Sequence, residues 1–186
     1  MASRRTVPRV KRRLQSVAVA FMLVSSGSAP AQQSSPSPNP VEYARQAYHK
    51  GDYASALRLT QPLAERGDAE AQTILGILYS RGHGVAQNIG EATTWYRRAA
   101  EQGNADAQHI LGTAYGLGRG VTKDDVTASM WLNLAATQGK QEAAKYRETL
   151  ERNMTPEQIA EAQIRAAEWK ALKSAMTSER SPSERA

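Results

Sequence analysis

The sequence predicts an all-α protein, a solenoid of helical hairpins, from an internal repeat and from the spacing of its apolar residues. Residues 69–103 align with residues 105–139 at an offset of 36 residues and without a gap. The same residue types recur at many paired positions, which an accidental match would not produce. Weaker matches extend the register back to Tyr43 and forward to Ala143. We therefore expect two complete repeats, a degenerate repeat before them and a half repeat after them.

Each repeat fits two amphipathic helices joined by a glycine loop. Apolar positions in the first helix follow i, i+4, i+7 and i+8 spacing, and a second such stripe follows the loop. The loop reads Gly-x-Gly-Val, in which the glycines adopt positive φ at little cost and the valine anchors the loop. The residues expected to carry the repeat are Leu75, Gly76, Tyr79, Gly82, Gly84, Val85, Trp95, Leu111, Gly112, Tyr115, Gly118, Gly120, Val121 and Trp131.

Capping residues mark where the helices begin and end. The expected N-caps are Asp68, Asn104 and Asp124, and the expected terminating glycines are Gly67, Gly103 and Gly139. Gly76 and Gly112 lie inside helices, where glycine costs about 1 kcal/mol. Because small residues permit close backbone approach, we expect two helices to meet there, with Trp95 and Trp131 filling the volume between successive hairpins.

The C-terminal part departs from the repeat. A helix at about 141–152 begins a further unit, and Thr155-Pro156-Glu157-Gln158 then forms a capping box that starts a different helix. That helix extends to about Met176, and its apolar face consists of Ile159, Ala162, Ala166, Trp169 and Leu172. We interpret it as a capping helix, because the terminal repeat of a solenoid otherwise exposes an apolar face.

These motifs closely resemble the Sel-like repeat family, a relative of the tetratricopeptide repeats. The shared pattern is A-x-x-x-L-G-x-x-Y-x-x-G-x-G-V-x-x-(D/N)-x-x-x-A-x-x-W-x-x-x-A-A-x-x-G, strong over 69–143 and looser over 41–68 and 144–170. The resemblance implies a right-handed α-solenoid that binds other proteins as an adaptor or scaffold without catalysis. Some exported relatives serve in envelope signalling or exopolysaccharide assembly. Pro62 falls inside the second helix of the leading hairpin, where we expect it to kink or break that helix.

The N-terminal segment has the order of a secretory signal. Basic residues up to Arg13 precede an eight-residue apolar run at 17–24, and Ala29-Pro30-Ala31 follows. This run is short of the roughly 20 residues that span a bilayer, so we predict cleavage after Ala31 and a periplasmic or secreted protein without stable membrane insertion. An uncleaved signal-anchor is the alternative.

The sequence divides into a signal, a spacer, a folded region and a tail. The predicted parts are a signal peptide at 1–31, a flexible linker at 32–40, a solenoid at 41–177 and a disordered tail at 178–186. Within the solenoid we expect a degenerate repeat at 41–67, repeats at 68–103 and 104–139, and a half repeat with the capping helix at 140–177.

Charge and composition exclude several function classes. The chain has 24 basic and 18 acidic residues, but six of the basic ones fall within 1–31, which leaves residues 32–186 with 18 of each sign. A nucleic-acid partner is therefore not expected. The absence of cysteine excludes a disulfide scaffold, a thiolate metal site and a cysteine nucleophile.

No pattern of catalytic or metal-ligating residues stands out. His49, His83 and His109 share no ligand spacing, so we expect no metal site, and we expect His83 to be a solvated loop residue. The glycine loops lack the preceding strand and the Lys-Ser/Thr of a phosphate-binding loop, so they are interpreted as turns and no cofactor is expected. An envelope hydrolase built on the solenoid remains the alternative to a noncatalytic binding protein.

The candidate binding surface lies on the first helix of each hairpin. In tetratricopeptide-type solenoids these helices line the concave side, and the residues that point away from the packing stripe vary between repeats while the packing residues recur. We expect a groove for an extended or helical peptide or protein segment. The candidate residues are Thr73, Ile77, His109, Thr113, Lys145 and Thr149.

Export gives the first testable prediction. Mass spectrometry of the protein isolated from cells should find Gln32 at the N-terminus, because the small residues before it form the cleavage site. A full-length chain recovered from the cytoplasm would contradict the signal-peptide interpretation.

Overall fold

The computed structural model describes residues 39–180, and it places eight α-helices and no strand in that range. The helices are α1 (Pro40–His49), α2 (Tyr53–Glu65), α3 (Ala69–Arg81), α4 (Ile89–Glu101), α5 (Ala105–Leu117), α6 (Asp125–Thr137), α7 (Gln141–Glu151) and α8 (Pro156–Arg180). The predicted signal peptide, most of the linker and the end of the tail lie outside the described residues.

Short polar side chains cap the helices at their N-termini, as predicted. Asp68, Asn104 and Asp124 each accept a hydrogen bond from the backbone N–H three residues on, at 2.8–3.0 Å. Asn88 caps α4 in the same way, at 3.0 Å. Burial on its own would raise the pKa of Asp124, but hydrogen bonds from Thr127 and the nearby Arg165 charge lower it overall. These caps satisfy donors that each helix leaves free in its first turn.

Glycines end the helices and shape the loops. Gly67, Gly103 and Gly139 have φ of 96°, 97° and 92°, the left-handed region that ends the preceding helix. Gly84 and Gly120 are required for a second reason as well. A Cβ atom on Gly120 would lie 2.9 Å from the carbonyl oxygen of Ile89, and one on Gly84 the same distance from that of Tyr53. Each loop therefore packs closely on the start of a second helix.

Successive hairpins share one continuous apolar core. Each helix packs against the next from α1 to α7, which is the contact order of a repeat solenoid and confirms the predicted fold class. Trp95 of α4 is buried against the first three helices, in the cluster that contains Leu75 and Leu78. Trp131 of α6 is likewise buried against α4 and α5. The tryptophans thus lie between successive hairpins, as the sequence predicts.

The two helices of a hairpin approach most closely at a glycine. A Cβ atom on Gly112 would lie 2.8 Å from Leu132 Cγ and 3.0 Å from the carbonyl oxygen of Ala128. On Gly76 it would lie 2.6 Å from the ring of Tyr96. The predicted close approach of two backbones is confirmed at Gly112, whereas Gly76 makes room for the Tyr96 ring. In both helices a side chain at the glycine would clash with the second helix.

Two buried glutamine side chains also link successive helices, and the sequence pattern does not reveal them. Gln72 donates from Nε2 to the carbonyl oxygen of Ala64 at 3.0 Å and accepts from Gln102 at 2.8 Å. Gln108 repeats the arrangement with Ala100 and Gln138, at 3.1 and 2.7 Å. The Ala64 and Ala100 carbonyls also accept from the backbone N–H groups of Gly67 and Gly103, so each glutamine adds a side-chain donor at a helix C-terminus.

Two expectations for the terminal helices are wrong. Pro62 does not break its helix, since α2 continues to Glu65. Pro62 lies near the end of α2 and is exposed, and so is Arg58, the residue whose carbonyl loses its helical donor. Leu172 is 63% exposed and does not belong to the packed face of α8.

The C-terminal helix packs along α6. The capping box forms as predicted, with Thr155 N–H donating to Gln158 Oε1 at 2.9 Å. Ala162 and Ala166 are buried, and Trp169 packs edge-on against Trp131 with ring centroids 6.1 Å apart. Beyond Trp169 the helix leaves the core behind, which explains why Leu172 is exposed.

Replacement of Gly112 by Ala should lower the free energy of unfolding by about 1–3 kcal/mol, despite the better helix propensity of alanine. The reason is that the added Cβ meets backbone atoms of α6 that cannot rotate away. Gly90→Ala is the matched control, because its Cβ would meet only Asn88 Oδ1 at 3.5 Å. Urea unfolding compares the two, and equal stability of both variants would contradict the close-approach argument.

Candidate functional site

A groove crosses the first helices of three successive hairpins. This first-helix groove has a volume of about 520 Å³ and is lined by residues of α1, α3 and α5, together with the N-cap of α5. Its lining residues are Arg45, Tyr48, His49, Glu70, Thr73, Ile74, Ile77, Asn104, Asp106 and Ile110. The predicted location of the binding surface, on the first helices, therefore coincides with a recess.

The charges of the first-helix groove are mixed and mostly paired. Arg45 forms ion pairs with Glu42, at 2.8 Å, and with Glu70. Asp106 pairs with Lys140 on the far side. Exposed ion pairs of this kind contribute little stability, so a charged ligand can replace their partners at low cost.

A larger cavity, of about 760 Å³, lies between α3 and α5 with α4 behind it. We call it the inter-repeat cavity. Its floor is apolar and is formed by Ile89, Ala92, Tyr96, Ile110 and Ala114. Ile110 also lines the first-helix groove, so the two recesses share a wall.

The polar groups around the inter-repeat cavity are cationic or neutral. Arg81 and Arg119 line it together with His109, and none of the described lining residues is an aspartate or glutamate. Arg81 donates to the hydroxyl of Tyr48 at 3.0 Å. Within residues 39–180 neither arginine forms an ion pair, and the side chains of Arg119 and His109 form no hydrogen bond. The cavity is therefore electropositive.

Tyr96, which lines the inter-repeat cavity, has a phenol with a raised pKa. Burial raises the pKa of its phenol above the usual value, against the smaller opposing effects of the Ser80 hydrogen bond and the Arg81 charge. Its hydroxyl lies 3.1 Å from Ser80 Oγ. The phenol is thus held neutral and hydrogen-bonded at the cavity wall.

The structure divides the candidate binding residues into three groups. Thr73 and Ile77 line the first-helix groove, but Thr73 is only 5% exposed and Ile77 is half-buried in the core, so both were wrongly expected to be fully available. The Thr73 hydroxyl donates to the carbonyl of Ala69 instead.

The other four candidates lie further along the solenoid. His109 and Thr113 line the inter-repeat cavity. Lys145 and Thr149 are exposed on α7 and line neither recess. The sequence pattern does not single out Arg81, Tyr96, Ala114 or Arg119. Each of them differs in residue type from the equivalent position of the other Sel1 repeat.

His83 is not a solvated loop residue. Its ring stacks on that of Tyr53 with centroids 3.9 Å apart, and its Nδ1 atom is buried without a hydrogen-bond partner. Tyr48 packs beside the pair. His83 therefore packs the loop against α2. In the next repeat, Arg119 and Ile89 occupy the positions equivalent to His83 and Tyr53.

The described residues do not assemble a recognisable catalytic centre. No group of three or more His, Asp or Glu side chains within them is placed to hold a metal ion. The carboxylates with a lowered pKa are Asp52, Asp124 and Glu157, and all three belong to helix N-termini. Among helices α1 to α8, none is both long and apolar enough to cross a bilayer.

Hairpins repeated at a fixed offset, with a recess across their first helices, define an α-solenoid repeat protein. The protein-family model for the Sel1 repeat matches residues 69–104 and 105–140. Residues 69–140 therefore match two consecutive Sel1 repeats. Proteins built from these repeats are generally noncatalytic protein–protein interaction modules.

The solved structures that are similar to this chain include two repeat proteins. One is c5321, a protective antigen present in uropathogenic Escherichia coli strains that displays an SLR fold, with 26% identity, a TM-score of 0.69 and coverage of 79% of this chain and 32% of the other. The second is a Sel1 repeat protein from Oxalobacter formigenes, with 30% identity, a TM-score of 0.58 and coverage of 69% and 55%. The chain thus spans about a third and about half of their lengths. No curated protein matches it.

Tyr96→Phe should reduce the sensitivity of the protein to alkali. Because burial raises the pKa of this phenol in the folded state, the unfolded chain loses the proton first, and the free energy of unfolding falls as pH rises beyond about 10. Urea unfolding between about pH 9 and 11 should show a smaller decline for the variant than for the wild type. Tyr43→Phe, at an exposed position of α1, should behave as the wild type; equal declines for all three would contradict the assignment.

Proposed function

We propose that this protein is an exported, noncatalytic binding module that holds a peptide or an extended segment of a partner protein in the first-helix groove. The observation that carries the proposal is the recess itself, which crosses α1, α3 and α5. A ligand that contacts all three helices must be extended, because the recess runs across successive repeats. A protein segment fulfils this requirement.

The polar character of the groove also supports a peptide. Its lining alternates charged residues such as Arg45 and Asp106 with tyrosine, isoleucine and asparagine. A peptide backbone and side chains offer both hydrogen-bonding and apolar groups at short intervals, so they match this alternation. The binding class agrees with the general role of Sel1 repeats.

Export and an envelope role form the finer part of the proposal. The basic, apolar and small-residue order of 1–31 supports export to the periplasm or beyond. One structural relative is a protective antigen, a role that suits an exported protein. Within the envelope, an adaptor or scaffold in signalling or in exopolysaccharide assembly fits the resemblance to exported Sel-like repeat proteins.

The hydrolase alternative receives less support from the recesses. General acid–base hydrolysis requires a titratable base near a water and an acid near the leaving group. The inter-repeat cavity contains His109 but no lining carboxylate, and the acids of the first-helix groove are engaged in ion pairs. Binding is therefore the function that the geometry favours.

The proposal predicts that substitutions in the groove abolish partner capture without unfolding the protein. Arg45→Ala, His49→Ala and Asp106→Ala together should leave the melting temperature nearly unchanged, because surface substitutions usually stay within about 0.5 kcal/mol each. Affinity capture from an envelope extract, with the full chain as bait, should then lose the proteins that the wild type retains.

The matched control lies on the second helices. Arg58→Ala, Thr94→Ala and Glu101→Ala change three exposed residues of α2 and α4 and should leave capture intact. Lys145→Ala with Thr149→Ala tests whether the binding surface extends to α7. Capture that survives the groove substitutions and fails with the control set would place the interface on the other face.

A further inference from the structure

We propose that the inter-repeat cavity is a specificity pocket that accepts one bulky apolar side chain of a peptide in which carboxylates flank that side chain. This inference rests on the proposed function, since the peptide lies in the first-helix groove and inserts the side chain past Ile110, the residue that lines both recesses. The juxtaposition of an apolar floor with two arginines that lack acidic partners points to this ligand.

The cavity lies where one position of the repeat has a smaller side chain than the equivalent positions of its neighbours. Ala114 lies at an offset of 36 residues from Leu78 before it and from Leu150 after it. Both leucines are buried in the core. The middle interval has alanine at this position, and Ala114 lines the cavity.

In the next interval, between α5 and α7, larger residues fill the equivalent space. Tyr146 occupies the register position of Ile110, and its hydroxyl would lie 2.7 Å from a Cβ atom on Gly116. Gly116 in turn takes the register position of Ser80. A tyrosine and a leucine thus close an interval that isoleucine and alanine leave open.

In the preceding interval, between α1 and α3, aromatic and aliphatic side chains do the same. His83 stacks on Tyr53 at the register positions of Arg119 and Ile89. Leu57 packs into the core at the position of Thr93. The middle interval therefore replaces filling residues with small, polar or cationic ones at several positions at once.

Hydrogen bonds hold several side chains that line the cavity. Tyr96 and Ser80 hydrogen-bond to each other, and Thr93 donates to the carbonyl of Ile89 at 2.8 Å. No wall group needs to be freed before an apolar side chain enters. An apolar side chain that packs on this floor removes its own surface and that of the floor from water, which favours binding.

Charge selects the flanking residues of the ligand. Arg81 and Arg119 lie at the cavity with His109, and no carboxylate lines it. Arginine binds carboxylates through paired N–H donors, so an acidic residue next to the inserted side chain would gain charge-assisted hydrogen bonds. A basic flank would meet repulsion from both arginines.

Defined peptides test the proposal directly. The acidic set consists of eight-residue peptides that carry one Leu, Ile or Phe flanked by Asp or Glu. The basic set has Lys in place of the acids. Each peptide is made with a free and with an amidated C-terminus. Fluorescence anisotropy measures binding to the full chain. We expect the acidic set to bind and the basic set to bind at least 10-fold more weakly, and the amidated versions to show whether a side-chain or a terminal carboxylate is recognised.

Ala114→Leu tests the pocket by inserting the residue that the flanking repeats use. It should keep or raise the melting temperature and weaken the acidic peptides roughly 10-fold or more, because the site of the inserted side chain is filled. Arg119→Glu changes the charge without filling the space, so it remains informative if the leucine disturbs folding. Its expected effect is a loss of preference for acidic over basic peptides. Arg152→Glu, at an exposed site outside both recesses, is the control.

The outcomes separate this pocket from the proposed function. Binding of acidic peptides that is unchanged by Ala114→Leu and Arg119→Glu would overturn the pocket while leaving a peptide-binding module. Binding of neither peptide set, or binding of a free fatty acid instead, would also overturn it. Partner capture with the groove variants then judges the proposed function independently.

Discussion

The close approach of the two helices within each hairpin is the constraint on which the rest of the solenoid depends. At Gly112 the backbone of α5 meets that of α6 so nearly that a single Cβ atom has no room. This approach brings the alanine-rich faces together and leaves the large volume between hairpins to one tryptophan. The same residue types make these contacts in both repeats, so the spacing of 36 residues is conserved between them. Residue types vary at the positions outside these contacts.

Variation at such positions makes the surface of one repeat differ from that of the next. The loop glycines and the buried glutamines repeat in both Sel1 units, so the backbone of the middle interval is supported in the same way as its neighbours. Only side chains differ there, and the reduction from leucine to Ala114 opens a cavity without disturbing a helix. A solenoid can therefore acquire a pocket by substitution alone, which a fold with interlocked long-range strands does not permit as easily.

Local signals were sufficient to predict most of the fold. The caps at Asp68 and Asn104, the glycine ends and the repeat period all act within a few residues or at a fixed offset, so they can be read from the sequence. The expectations that failed depend on neighbours far along the chain. Thr73 is buried at the recess that residues of α1 and α5 also line, and His83 stacks on Tyr53. Leu172 is exposed because α8 outruns the core, which its own apolar pattern does not reveal.

The candidate site was predicted only in its outline, and the reason bears on how its chemistry is understood. A recess crosses the first helices, where the sequence predicts the binding surface. The contrast between recurring and varying residues does not distinguish a varying residue that faces solvent from one that leaves space in the core. Ala114 belongs to the second kind, since both of its register equivalents are buried leucines. With Arg81 and Arg119 beside it and no lining acid, the resulting space has the charge to attract a carboxylate and the floor to desolvate an apolar group.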